Sequence, residues 1–385
     1  MSKIIYLVTE DWYFWSHRRL LAADAAGRNY QVIVATGKGA YTNRMREQGF
    51  IPVSVSIHRS VGSPLTEIRT LVDLISLYIR YKPDLVHQVA LKPVFLGTLA
   101  AKICRVPIII NAYTGLGHVF ITPDSLKSWL IRYCIFPFIA PVLRSRNVWS
   151  IVQNRDDKAQ LLKYGLICGK RVSVIRGSGV DLNEFTAAPE PEYSQPLILF
   201  PARLLKEKGI MEFIGAARIL KQRHPGAGFV ITGSLDVGNP TCIAMEDLRQ
   251  WMDEGIVEWW GYREDMASVY QQVNIVCLPS YREGLPRVLL EAAATGRSIV
   301  ATDVPGCREI VIHEHNGLLV PPADTEKLAS ALERLIEDAE LRSRFGTNGR
   351  KLVEGNFSAA EINRQTLELY GQVIISFGKN RTSGK

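Results

Sequence analysis

Short apolar runs alternate with amphipathic stretches along the whole chain. The first half carries KIIYLV, QVIVAT, PDLVHQV, PIIINAY, VWSIVQ and VSVIR; the second carries LILFPAR, GFVITG, VEWWG, NIVCLPS, SIVATD and NGLLV. Runs rich in β-branched and aliphatic residues, separated by helical patterns, predict βαβ units and parallel sheets buried on both faces. Between the two series lies RGSGVDLNEFTAAPEPEYSQP, residues 176–196, with three prolines in its last eight positions, a linker composition. The pattern thus predicts an α/β protein of two doubly wound, Rossmann-like domains, 1–176 and 197–357, joined by a linker at 177–196. Ligands of such sheets lie outside the carboxyl ends of the strands, and two facing domains would make a cleft. Beyond them, TEKLASALERLIEDAELRSRFGTNGRKLVEGN and SAAEINRQTLELYGQVIISF repeat apolar residues at three- and four-residue spacing, which predicts helices.

Composition agrees with two ordinary soluble domains: 385 residues, 47% apolar and 22% charged. The six cysteines form no CxxC and no metal-like spacing, so free thiols in a reducing cytoplasm are expected. MSKIIYLVTED has one early lysine and an apolar run that acids end at once, a first strand rather than a signal peptide. Charge changes the picture more. Residues 1–175 hold 23 Lys and Arg against 10 Asp and Glu, a balance of +13, whereas the rest of the chain is acidic. A basic half suits nucleic acid, anionic lipid or a phosphorylated substrate; without a nucleic-acid motif, the last two are favoured. In SLKSWLIRYCIFPFIAPVLRSR, residues 125–146, Lys127, Arg132, Arg144 and Arg146 flank Trp129, Tyr133, Phe136 and Phe138. This is either an interfacial segment on an anionic membrane or a helix packed on the first sheet, and its uncharged run is too short to span a bilayer.

Two stretches of the second half can carry chemistry. In LILFPARLLKEKGIMEFIGAARIL, Arg203 and Lys208 stand between a strand's end and a helix start at Gly209. Helix dipole and unbonded N–H groups favour an anion there, and a diphosphate would fit; otherwise both are plain surface cations. In YREGLPRVLLEAAATG, Glu283 follows the strand NIVCLPS, and Pro286 suits the first helical position. The N–H groups of Gly284, Leu285 and Arg287 then face sugar or phosphate oxygens. Glu291 lies on a helix made for burial, where a carboxylate must accept hydrogen bonds, from a ribose diol or from a structural arginine. Glu283 could equally be a helix-capping acid.

Together these stretches resemble one family. YREGLPRVLLEA looks like the E-x7-E motif of retaining GT-B glycosyltransferases of family 4, and PARLLKEKG, SGVDLNEF and SIVATDVPGCREIV are similar to further stretches of that family, in the same order. The resemblance implies a GT-B fold with a C-terminal helix, 358–378, returning to the first domain. It implies a UDP-sugar donor, with Arg203 and Lys208 on the diphosphate, Glu291 on the ribose and Glu283 at the sugar's hydroxyls and anomeric centre. It also implies hexosyl transfer with retention and without a metal or other cofactor. GSLDVGNPTC, EWWGYREDM, TGLG and FWSHR are similar to bacterial enzymes that extend undecaprenyl-diphosphate-linked sugars, N-acetylgalactosaminyltransferases among them. A lipid-diphosphate-linked saccharide as acceptor, met at the inner face of the cytoplasmic membrane, would account for the basic half.

On the acceptor side the candidates are His17 and Arg18 after the first strand, His87 and Lys92 after PDLVHQV, and Thr114 and Gly115 after PIIINAY. Many relatives carry a histidine just before that glycine; here it is Thr114. EDWYFW also replaces the usual glycine-rich loop after strand one. A nucleotide-sugar epimerase of the same architecture and transfer to a soluble acceptor remain alternatives. A membrane scaffold and an NAD-dependent oxidoreductase are poorer accounts, the latter because no strand is followed by GxGxxG.

Overall fold

A computed structural model describes residues 1–58, 62–115, 135–193 and 195–382. The chain divides into two compact units: Met1–Ser178 with Glu361–Lys385, and Gly179–Ala360. All twelve apolar runs are strands, and every strand pair is parallel.

The first unit holds β1 (Ser2–Leu7), β2 (Tyr30–Thr36), β3 (Ile51–Ser54), β4 (Leu85–Val89), β5 (Ile108–Tyr113), β6 (Val148–Val152) and β7 (Val172–Val174), in the order β3-β2-β1-β4-β5-β6-β7. The run absent from the hydropathy pattern is β3, IPVS. It is a four-residue edge strand carrying a proline and nowhere fully buried, so no apolar alternation marks it. The helix Ala359–Thr382 belongs to this unit from Glu361 onward, and Ile362, Leu369, Tyr370 and Val373 enter the same core as Ile4, Tyr6 and Val34.

The second unit holds β8 (Leu197–Pro201), β9 (Gly228–Thr232), β10 (Glu258–Trp259), β11 (Ile275–Leu278), β12 (Ser298–Thr302) and β13 (Leu318–Val320), in the order β10-β9-β8-β11-β12-β13. Chain order reverses between β8 and β11, whose carboxyl ends therefore bound a crevice with no crossover covering it.

The expected linker is not loose chain. Val180 and Phe185 are buried in the second unit's core. The Val180 N–H donates to the Phe357 carbonyl (2.9 Å), and the Ala359 N–H to that of Val180 (2.8 Å). Further on, Arg297 Nη2 donates to the carbonyls of Ala188 and Pro189 (2.9 and 2.8 Å), while Asn274 Nδ2 and Arg342 Nε both reach Glu190 Oε1 (2.8 and 2.5 Å). The prolines end regular structure there, and side-chain donors satisfy the carbonyls that a ladder would have used.

Candidate functional site

The basic loop after β8 is held by the loop after β9. Residues Lys206–Lys208 form a 3₁₀ turn, Gly209 closes it with φ +77°, and the helix Ile210–Arg223 begins. A Cβ on Gly209 would stand 2.0 Å from the Pro279 carbonyl oxygen, so only glycine lets this turn press against the end of β11. From the other side, Lys206 N–H donates to the Thr241 carbonyl (2.8 Å), Leu204 N–H to that of Ser234 (3.1 Å), and Thr241 Oγ1 to Glu207 Oε2 (2.6 Å). Arg203 is not a bare cation: its Nη1 lies 2.5 Å from Asp236 Oδ2.

The turn after β11 is fixed as closely. The Tyr281 N–H donates to the Glu207 carbonyl (3.0 Å), and its hydroxyl donates to Glu212 Oε1 (2.6 Å), on the first turn of the helix Ile210–Arg223. Behind Glu283, Gly306 packs so tightly that a Cβ would meet the Glu283 carbonyl oxygen at 2.6 Å. Cys307 beside it is no nucleophile, since burial, reinforced by the Glu283 charge, pushes its thiol up. The helix runs Arg287–Thr295, and Pro286 is its capping residue rather than its first turn, a one-residue difference within ordinary helix fraying. At the crevice, Lys208 Nζ lies 2.5 Å from Glu283 Oε1, joining the two loops across the chain-order reversal.

Glu291, one turn further in, is 6% exposed. Its Oε1 lies 2.7 Å from Arg287 Nε, and the Tyr270 hydroxyl is 3.1 Å from its Oε2. Burial raises its pKa above the ordinary 4.5, while the Arg287 charge and the Tyr270 hydrogen bond oppose that rise. Both sequence alternatives for Glu291 therefore meet at one carboxylate: an arginine steadies it, and each oxygen keeps lone pairs for other donors.

Asp236 and Tyr270 escaped the sequence reading. Asp236 sits in GSLDVGNPTC, a stretch singled out only for its likeness, and Tyr270 lies in an apolar helical pattern where a phenol looks like filler. Around the crevice stand the cations Arg203 and Lys208, the carboxylates Asp236, Glu283 and Glu291, and the start of a helix. Among the described residues, one group could offer three metal ligands, His224, Glu333 and Glu337. It lies at the far end of the helix Ile210–Arg223, about 20 Å from Gly209 by helical rise, and Arg223 already pairs with Glu333.

The first unit places its candidates at different depths. His87 does not follow its strand; it lies within β4, fully enclosed, with Nδ1 hydrogen-bonded to the Tyr370 hydroxyl and its ring 5.4 Å from that of Tyr6. Burial, reinforced by the Arg18 charge, holds its pKa well below 6.5 and favours the neutral ring. Arg18 is buried too, its Nη1 3.4 Å from the Gly177 carbonyl. Lys92 is paired with Glu67 at 2.8 Å. His17 stacks on Tyr13 (centroids 4.1 Å apart) and shares a 2.6 Å hydrogen bond with Ser16 Oγ at the end of the helix Asp11–His17. Thr114 and Gly115 follow β5, half-buried, with Gly115 at φ +124°. The remainder of TGLGH and residues 125–134 of the aromatic segment lie outside the described residues; in the rest of that segment Phe136 is buried and Phe138 is 81% exposed.

Two doubly wound parallel units, the second with a cation–carboxylate crevice at its switch point, define a GT-B glycosyltransferase architecture. HepE from Anabaena, solved in complex with UDP and glucose, shares it at a TM-score of 0.77 and 19% identity, covering 96% of this chain and all of that one. Residues 183–352 match the model of glycosyl transferases group 1, and residues 3–138 match that of the glycosyl transferase 4-like proteins. With the fold, the two matches mark the chain as a glycosyltransferase similar to both groups, a sugar-transferring enzyme. It is 27% identical, over 90% of its length and 92% of the relative's, to N,N'-diacetylbacillosaminyl-diphospho-undecaprenol alpha-1,3-N-acetylgalactosaminyltransferase of Campylobacter jejuni. It is 23% identical, over 82% of each chain, to the UDP-Gal:alpha-D-GlcNAc-diphosphoundecaprenol alpha-1,3-galactosyltransferase of Escherichia coli.

Proposed function

We propose that the enzyme transfers a sugar, an N-acetylhexosamine above all, from a UDP-sugar to a lipid-diphosphate-linked saccharide in bacterial surface-glycan assembly. The observation that carries this reading is the Lys208–Glu283 pair at the crevice between β8 and β11, with Arg203 on the same loop. The names of the Campylobacter and Escherichia relatives, both acting on undecaprenyl-diphosphate-linked sugars, support the acceptor class.

On this reading Glu283 and Asp236 hold, before the donor arrives, the cations that a diphosphate would take. Arrival of the donor exchanges one anion for another. The diphosphate draws Lys208 and Arg203 to itself, and Glu283, released at the sugar, turns to its hydroxyls. Glu291, steadied by Arg287 and Tyr270, accepts from the ribose diol. As the bond from the anomeric carbon to the diphosphate breaks, negative charge grows on the leaving UDP, where fixed cations and a helix start lower the barrier without a metal ion. The acceptor hydroxyl attacks from the face UDP leaves, its proton passes to the departing phosphate, and configuration is retained.

The test is a donor panel of UDP- and GDP-sugars with an undecaprenyl-diphosphate-linked saccharide, the product read by NMR. A new α-linkage from a UDP-α-sugar, formed in the presence of a chelator, is expected. An inverted linkage would contradict the mechanism, and conversion of UDP-sugar with no acceptor present would establish the epimerase instead.

A further inference from the structure

The helix Pro64–Tyr81 of the first unit has two unlike faces. Thr70, Leu74, Leu77 and Tyr78 are buried against the sheet. On the opposite face Leu65 is 78%, Ile68 58%, Val72 54% and Ile79 60% exposed. At 100° per residue these four fall within about 60° of arc, an apolar stripe along about four turns. Arg69 and Arg80, both exposed, lie along one flank of it. The helix has two acids outside the stripe: Glu67 turns toward Lys92 Nζ (2.8 Å), and Asp73, one turn from Arg69 on the arginine flank, accepts from the Ser56 N–H (3.0 Å). Isolated exposed apolar residues are ordinary on a protein surface, but four in register with an arginine rail are not.

We infer that this face is a docking surface for an anionic lipid bilayer, the helix lying in the headgroup layer with its leucine, isoleucines and valine in the acyl boundary. Charge decides between a membrane and a second copy of the chain. Two such helices packed face to face would offer the arginines no carboxylate beyond Asp73 and Glu67, which are already engaged by the Ser56 N–H and Lys92, whereas anionic headgroups complement the arginines. The surrounding sequence adds to the attraction, since residues 1–175 carry a balance of +13. The inference rests on the lipid-linked acceptor reading and deepens it by naming a surface that would bring the enzyme to its acceptor.

Co-sedimentation of the full chain with phosphatidylglycerol-containing vesicles, against phosphatidylcholine alone, tests it; no donor or acceptor is present, so the outcome is independent of the transfer assay. Wild-type protein is expected to pellet with the anionic vesicles. Arg69→Gln with Arg80→Gln should weaken partition about 30-fold, at roughly fivefold per basic residue near the surface. Ile68→Asn with Val72→Asn should weaken it at least about tenfold, with an unchanged melting temperature and unchanged transfer to a short-chain soluble acceptor. Vesicle binding that both pairs of substitutions leave intact would overturn the inference, as would wild-type protein that ignores the vesicles. A concentration-dependent dimer that Ile68→Asn with Val72→Asn dissociates, without effect on vesicles, would assign the stripe to a second copy instead.

Discussion

The two units use charge in opposite ways. In the second, Arg203, Lys208, Glu283 and Asp236 stand in the loops after strands, partly exposed and joined as two ion pairs, Arg203 with Asp236 and Lys208 with Glu283. In the first, Arg18 and His87 are enclosed in the core, where the Tyr6, His87 and Tyr370 rings dock the returning C-terminal helix against β1 and β4. Similar residue types thus line a crevice, where the proposed donor would meet them, in one unit and pack the core in the other. For His87 the difference lies in depth along the strand, since it sits within β4 rather than after its carboxyl end; Arg18 follows β1 but is enclosed at the junction of the helices Asp11–His17 and Arg19–Gly27.

Substitution should separate the two sets. The largest effect is expected from Glu283→Gln, which removes the carboxylate proposed to meet the sugar. kcat of transfer should fall about 10²–10³-fold while UDP affinity holds, and a kcat within a few-fold of wild type would place Glu283 outside the reaction. Tyr370→Phe should show the opposite signature. It leaves the enclosed His87 Nδ1 without its partner, at a cost of about 1–3 kcal/mol in unfolding free energy, with transfer kinetics unchanged. A large loss of kcat/KM with unchanged stability would return His87 to the acceptor site.

Glu291 supplies a pH signature. Its folded pKa is raised above 4.5, so the stability it contributes is present below 4.5 and lost as pH rises through the folded value. Donor affinity should run the other way over the same window, growing as the carboxylate ionises toward the ribose. A pH series of UDP affinity on wild type and Glu291→Gln checks this, and an equal slope in both proteins would contradict the ribose role. The smallest effect is expected from Asp236→Asn, which frees Arg203 of a half-exposed partner and should tighten UDP binding up to about fivefold. Weaker binding would instead make Asp236 a positioning residue for Arg203.

The sequence made the second unit's crevice legible because its parts are local. Arg203 and Lys208 share one loop, Glu283 and Glu291 share one turn and helix, and both segments follow recognisable buried strands. What it left out were partners brought by topology: Asp236 from the loop after β9, Tyr270 from the preceding helix, and Gly306, whose need for close approach shows only beside Glu283. In the first unit the strand PDLVHQV was legible, but the depth of His87 within it was not. A histidine inside an apolar run looks the same whether it ends the strand or, as here, finds a tyrosine 283 residues away. The proline-rich stretch misled for a related reason, since Arg297, Asn274 and Arg342, which fasten it, are remote in sequence.

The central claim is that the basic loop after β8 holds the donor's diphosphate without a metal. Calorimetric titration of UDP in the presence of a chelator tests it most directly, on wild type, on Arg203→Ala with Lys208→Ala, and on His17→Ala as the first-unit counterpart. Binding should persist in chelator, fall at least about 100-fold in the double variant and stay unchanged for His17→Ala. Binding that vanishes with the chelator, or that survives loss of both cations, would contradict the account.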